Sequence, residues 1–135
     1  MSDPAPGGRV LDVPALLDAA TGATEYMRAW LAVMTRQGSA VAVPSAVRAR
    51  AAGHLATAAE LAELDWFCAA GTVLEIPLAA ADAAELDQLA KDQFRGEIAA
   101  AHAALTARRR AWPVITSQDR AAGFRAAGLD VEFLP

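Results

Sequence analysis

The stretch "AVAVPSAVRARAAGHL", Ala40 to Leu55, holds the reading on which the fold turns. Val41 and Val43 flank Ala42, a short apolar run bounded by turn residues, and such a run suits a strand buried on both faces. Pro44 closes it, and a helix-like segment carrying Arg48 and Arg50 follows. If this strand-then-helix unit recurs along the chain, the sheet is parallel and wrapped by helices.

It does recur. Upstream, "RVLDVPALLDAATG" opens with the apolar pair Val10 and Leu11, ends at Asp12 and turns into a helix past Pro14, with Gly22 as its stop. In "ATEYMRAWLAVMTRQG" the residues Met27, Trp30, Leu31 and Met34 fall at i, i+3, i+4 and i+7, an amphipathic helix closed by Gly38. Downstream, "LATAAELAELDWFCAAG" predicts a helix with Leu55, Ala58, Ala62 and Trp66 along its inner side. "TVLEIP" is a third strand, halted by Pro77.

"LAAADAAELDQLAKDQF" predicts a helix with Leu86, Leu89 and Phe94 inward and Asp87 with Lys91 as an exposed i,i+4 pair. After Gly96, "EIAAAHAALTARRRAW" predicts a helix with Ile98, Ala101 and Leu105 on its apolar face. "PVITSQD" is a strand, "RAAGFRAAG" a short helix, and "LDVEFLP" a last strand. The fold class is α/β, a three-layer α/β/α sandwich with a mostly parallel sheet of four to five strands. Residues 1–8 read as a flexible tail and 9–135 as a single domain, with no internal repeat or long linker.

Composition bounds the function. The chain has 135 residues, 55% of them hydrophobic, and a net charge of −4. That balance argues against retention on nucleic acid by bulk charge. The single Cys68 excludes an internal disulfide, and one thiol with two histidines is too few for a usual structural zinc site. No apolar run reaches membrane-spanning length, and "MSDPAPGG" lacks the apolar region of a signal peptide, so a cytoplasmic location is expected.

The right-handed crossover rule gathers the strand carboxyl ends at one edge of a parallel sheet, where ligand sites form. Asp12 and Asp119 each follow a strand, and Glu97 begins the helix before the second of these strands. Converging carboxylates repel one another unless a cation or a shared proton compensates. Hard oxygen donors of this kind suit Mg2+ or Mn2+, and such a metal activates water and stabilises phosphate charge in hydrolysis. Each acid also has a plainer explanation, because an acid at a helix start caps it and complements its dipole.

The order "VLDVPALLD", "VAVPSAV", "GEIAAAHAALTARRRAWPVITSQD" and "GLDVEFLP" resembles a PIN domain across Arg9 to Pro135. That family includes the ribonuclease toxins of bacterial toxin–antitoxin pairs. The resemblance implies an acidic pocket binding Mg2+ or Mn2+ that cleaves RNA, with an antitoxin partner and a homodimer common in the toxin branch. Asp12 matches the first acid. Glu97 stands where the third is usually Asp, and Asp119, or Gln118, fills the Thr-x-Asp position after the fourth strand.

The second acid of the pattern, a glutamate early in the helix after "VAVPSAV", is replaced by Arg50 or Ala51. A guanidinium there pairs with carboxylates and opposes a divalent cation. Arg50, or Arg48, is therefore expected to neutralise Asp12 and Glu97. Two readings follow: a metal-dependent endoribonuclease using Asp12, Glu97 and Asp119, or an inactive PIN-like domain that binds RNA or protein.

The remaining candidates read as structural. Arg108, Arg109 and Arg110 complement the end of their helix, with a phosphate contact as the weaker alternative. His54 and His102 lack a nucleophile to serve, Cys68 reads as a small core residue, and Trp30 and Trp66 fall on core faces. Trp112 is core or interface.

Overall fold

In the computed structural model, which describes residues 7–135, five strands form one sheet in the order β3-β2-β1-β4-β5, and every neighbouring pair is parallel. The strands are β1 (Arg9–Leu11), β2 (Val41–Pro44), β3 (Val73–Ile76), β4 (Val114–Thr116) and β5 (Val131–Phe133). The helices are α1 (Val13–Thr21), α2 (Tyr26–Gln37), α3 (Ser45–His54), α4 (Ala58–Cys68), α5 (Ala83–Gln93), α6 (Ile98–Arg110) and α7 (Ala121–Ala126). All five expected strands are present, and the sheet is wholly parallel.

Burial explains why such short strands suffice. Every residue of β2 and β4 is buried, so helices cover both faces and the architecture is a three-layer α/β/α sandwich. Helix α6 packs on β1, β2 and β4 with α5 against it, while α1 packs with α2, α3 and α4. Buried Asp18 holds the α1–α2 corner. Its Oδ1 accepts the Thr24 hydroxyl at 2.7 Å, and its Oδ2 accepts the Met27 N–H at 3.1 Å.

Two expectations about helix faces and one about Gly8 need correction. Trp66 is 72% exposed, because α4 buries Leu64 and Phe67 instead, a stripe rotated away from the Leu55, Ala58, Ala62 and Trp66 side. Ile98 is 41% exposed, since it sits in the first turn of α6 before the helix enters the core. From Ala99 to Ala107 that helix is then buried on all sides, a packing that alanine permits. Gly8 does not behave as part of the expected tail. Gly8 is buried, and a Cβ there would lie 2.5 Å from the Trp112 ring; residues 1–6 of that tail lie outside the described ones.

Trp30 packs on the core from a half-buried position, as does Cys68. The Asp87–Lys91 pair forms at 2.8 Å. Among the described residues no helix is long and apolar enough to cross a membrane.

Candidate functional site

The strand order reverses direction at β1. The chain lays β2 and β3 on one side of it and β4 and β5 on the other, so the crevice above the carboxyl ends of β1 and β4 is the switch point of the sheet. Asp12 ends β1 there. It is fully buried and occupies the N-cap position of α1, where its backbone carbonyl accepts the Ala15 N–H at 3.1 Å. Its carboxylate makes no cap bond. It turns instead toward β4, and its Oδ2 accepts the Thr116 hydroxyl at 2.7 Å.

Glu97 comes from the tight connection between α5 and α6. Arg95 and Gly96 both take positive φ, at 53° and 85°, and this reversal aims Glu97 at the same crevice. Between the two carboxylates stands Arg120, from the one-turn 3-10 helix Gln118–Arg120 that follows β4. Its Nε donates to Asp12 Oδ2 at 2.7 Å and its Nη2 to Asp12 Oδ1 at 3.0 Å. The same Nη2 donates to Glu97 Oε1 at 2.8 Å, and Nη1 donates to Glu97 Oε2 at 3.0 Å.

The planar guanidinium thus makes two forks, one to each carboxylate, a geometry that lysine cannot reproduce. Burial acts to lower the Arg120 pKa, but hydrogen bonds to Asp12 and Glu97 and their charges outweigh it and raise it. Arg120 is a fixed cation.

Arg50 adds a second positive charge, its Nε 3.1 Å from Glu97 Oε1. The two acids and two arginines cancel, and each carboxylate oxygen of Asp12 and Glu97 already faces a donor. The expectation for Arg50 is thus met at Glu97 and not at Asp12. Arg48 turns the other way, to Asp65 at 2.8 Å and Glu75 at 3.0 Å, because its position on α3 faces α4 and β3. Arg120 performs the bridging. The available signal was an arginine directly after Asp119, on the turn leaving a central strand.

Asp119 does not join the pair. It is exposed on the 3-10 turn, beside a shallow cavity of about 380 Å3 that Glu97 and Arg120 also line. A hydrogen bond from Ser117 holds its pKa below the ordinary carboxylate value. Gln118 is exposed as well. Among the described residues, no three His, Cys, Asp or Glu side chains are grouped to hold a metal ion. The donors therefore do not fit Mg2+ or Mn2+. A divalent cation about 4 Å from the guanidinium would meet a repulsion of about 8 kcal/mol at an effective dielectric constant of ~20.

The basic run at the end of α6 is absorbed by its surroundings. Arg109 pairs with Asp82 at 2.7 Å and with Glu85 at 3.2 Å, while Arg110 lies over the Trp112 ring at 5.1 Å. His102 is buried, its Nδ1 accepting the Ala46 N–H at 3.4 Å.

Among solved structures the chain is similar to one from VapBC2 of Rickettsia felis, crystallised with a DNA fragment from their promoter. The two share 14% identity at a TM-score of 0.64, over 93% of this chain and 97% of that one. The fold is PIN-like. No family model matches the sequence, and no curated protein matches it. The likeness therefore lies in the backbone, and the site of this chain must be read from its own side chains.

Proposed function

We propose that this chain is a PIN-like protein-interaction module of toxin–antitoxin type, without metal-dependent ribonuclease activity. The observation that carries the reading is the double fork of Arg120 on Asp12 and Glu97. A metal-dependent ribonuclease needs Asp12, Glu97 and Asp119 to share a cation and polarise its bound water. Here two of these acids are spent on a guanidinium, and the third is turned out to solvent.

A protein partner suits the surface better than RNA. The charged side chains at the end of α6 are tied to acids or to Trp112, which leaves little of a continuous basic track for a phosphate backbone. By contrast, α2 and α4 border an apolar groove of about 520 Å3 lined by Leu31, Ala32, Phe67 and Ala70, with exposed Trp66 on its edge. Arg28 and Glu63 close one side of it, 3.7 Å apart. Large aromatic side chains of this kind anchor protein interfaces. The structural neighbour comes from VapBC2, which supports an antitoxin-like polypeptide as the occupant.

The test is cleavage of single-stranded RNA by purified protein in Mn2+ or Mg2+, beside an EDTA control and Asp12→Asn. No divalent-dependent cleavage is expected. Cleavage that Asp12→Asn abolishes would overturn the proposal and restore the ribonuclease reading. Sedimentation of the protein alone decides whether a second copy, as in a homodimer, occupies the groove.

A further inference from the structure

Between the end of β3 and Leu86, the first buried residue of α5, the chain runs from Pro77 to Glu85 and buries none of these nine residues. Eight of them are exposed, Leu78 included, and only Asp82 is half-buried. Their one regular element is the single 3-10 turn Ala80–Asp82 that leads into α5. A segment that buries no apolar side chain gains little from packing and stands at the low end of local stability.

What ties this segment to the body of the fold is polar, and it comes from α6. Arg109 Nη2 donates to Asp82 Oδ1 at 2.7 Å and to Glu85 Oε2 at 3.2 Å. Arg108 stands 3.9 Å from Glu85. At the other end, the Pro77 carbonyl accepts a hydrogen bond from buried His102. Between these anchors lies a cavity of about 340 Å3, with Ile76, Pro77 and Asp82 on one side and Leu105, Thr106 and Arg109 on the other. Leu78 to Ala81 add nothing to its wall, so the segment meets the cavity only at its two anchored ends.

We infer that Pro77–Glu85 is a lid over this cavity, latched by Arg109 through Asp82 and Glu85. Its hinges are fixed on both sides, because Ile76 pairs with Pro44 in the β2–β3 ladder and Leu86 is buried. The latch itself is open to solvent, with the Arg109 side chain 51% exposed and that of Glu85 48%. Exposed ion pairs of this kind are weak and are screened by salt. Opening the lid therefore breaks no strand pairing and uncovers Ile76, Leu105 and the His102 ring. The latch stands at the end of α6, away from Glu97 at its start, so the lid works independently of the Arg120 site.

The experiment reads access to the cavity floor. Thr106 lines the cavity and is only 4% exposed, and cysteine is close to it in size. In a Cys68→Ser chain carrying Thr106→Cys, the rate of reaction with N-ethylmaleimide, an uncharged reagent, reports how often the lid opens. Raising NaCl from about 50 mM to about 1 M should speed the reaction about fivefold. Adding Arg109→Gln should give a similar gain at low salt, after which salt should add less than about twofold.

A rate indifferent to Arg109→Gln overturns the inference, and so does a salt effect of equal size with and without Arg109. If the Thr106→Cys chain does not fold, amide hydrogen exchange of residues 78–85 in the unaltered chain and in Arg109→Gln serves instead. Opening releases the Asp82 N–H from the Ala79 carbonyl, so exchange there should quicken about fivefold in Arg109→Gln, and an unchanged rate overturns the lid.

Discussion

Arg120 donates to both carboxylate oxygens of Asp12, from Nε at 2.7 Å and from Nη2 at 3.0 Å, across 108 residues of chain. Removing one member of such a pair leaves the other as an uncompensated buried charge, at a cost of about 3–5 kcal/mol. Arg120 is partly exposed, which favours the lower figure. Arg120→Met should therefore lose about 3 kcal/mol in urea unfolding, a fall in Tm of about 10 °C. Arg120→Lys should recover less than half of it, since an ammonium cannot form two forks. Full recovery by lysine would show that point charge alone matters.

Gly123 fixes how closely α7 approaches the end of α5. A Cβ there would stand 2.6 Å from the Gln93 carbonyl oxygen and 2.6 Å from the Phe94 ring. A carbonyl and a ring held in a tilted pair with Phe124 cannot both yield without moving α7. Gly123→Ala should cost about 1–3 kcal/mol, as overpacking does, and should shift Arg120 relative to Asp12. Near-ultraviolet circular dichroism of the aromatic pair reads the displacement, and denaturation reads the cost.

The strands were legible because each is a short apolar run fenced by Gly, Pro or a charged residue, a length and flanking that favour a strand buried on both faces over a helix. That their carboxyl ends share one edge followed from the parallel reading, whereas the order of the strands in the sheet did not. Asp12 and Glu97 were legible for the same reason, each being tied to an element boundary. Trp66 was not, because α4 is apolar on more than one side and its periodicity does not say which side meets α1. Arg120 was hidden for a different reason. Its role depends on where a side chain points from a single 3-10 turn, toward partners 23 and 108 residues away, and no local pattern carries that direction. Arg50 was half legible: the departure from the expected acid was visible, but only Glu97 lies within its reach.

Trp66 stands 72% exposed at the edge of the apolar groove, so its truncation removes little packing from the fold. Trp66→Ser should alter stability by no more than about 0.5 kcal/mol, as surface changes usually do. If the groove holds the partner polypeptide, the same change should weaken that complex by about 2 kcal/mol or more, as loss of an aromatic anchor does. Titration calorimetry on the purified complex partners gives the second figure. Unchanged affinity would move the partner to another face.

Cys68 is half-buried at the end of α4, and burial pushes its thiol up to about 11. The Arg48 charge opposes this, but Glu75 and Asp65 offset it. At pH 8 only about one thiol in a thousand is then ionised, and the thiolate is the reactive form. Alkylation of the folded protein by iodoacetamide should be far slower than that of the urea-unfolded chain, and Arg48→Ala should slow it further. A folded-state rate equal to the unfolded one would exclude this environment for Cys68.

His102 supplies the pH dependence. Burial lowers its pKa from the ordinary 6.5, and a hydrogen bond to the Pro77 carbonyl and the charge of Asp82 only partly oppose this. Its Nδ1 accepts the Ala46 N–H, so protonation there sets two N–H groups against each other. Asp82, Arg109 and Arg110 line the same cavity from outside, the arginines adding to the cost of a charged ring. Below its unfolded pKa the unfolded chain binds a proton that the folded chain resists. Stability should therefore be level with respect to this group above about pH 6.5, fall as the pH drops through the interval down to the folded pKa, and lose nothing further from it below that. Urea unfolding of the native chain and of His102→Gln, measured from pH 8 to pH 5, should show curves that converge as the pH falls, since glutamine keeps an acceptor but takes no proton. Parallel curves across that range would mean that His102 titrates alike in the folded and unfolded chain.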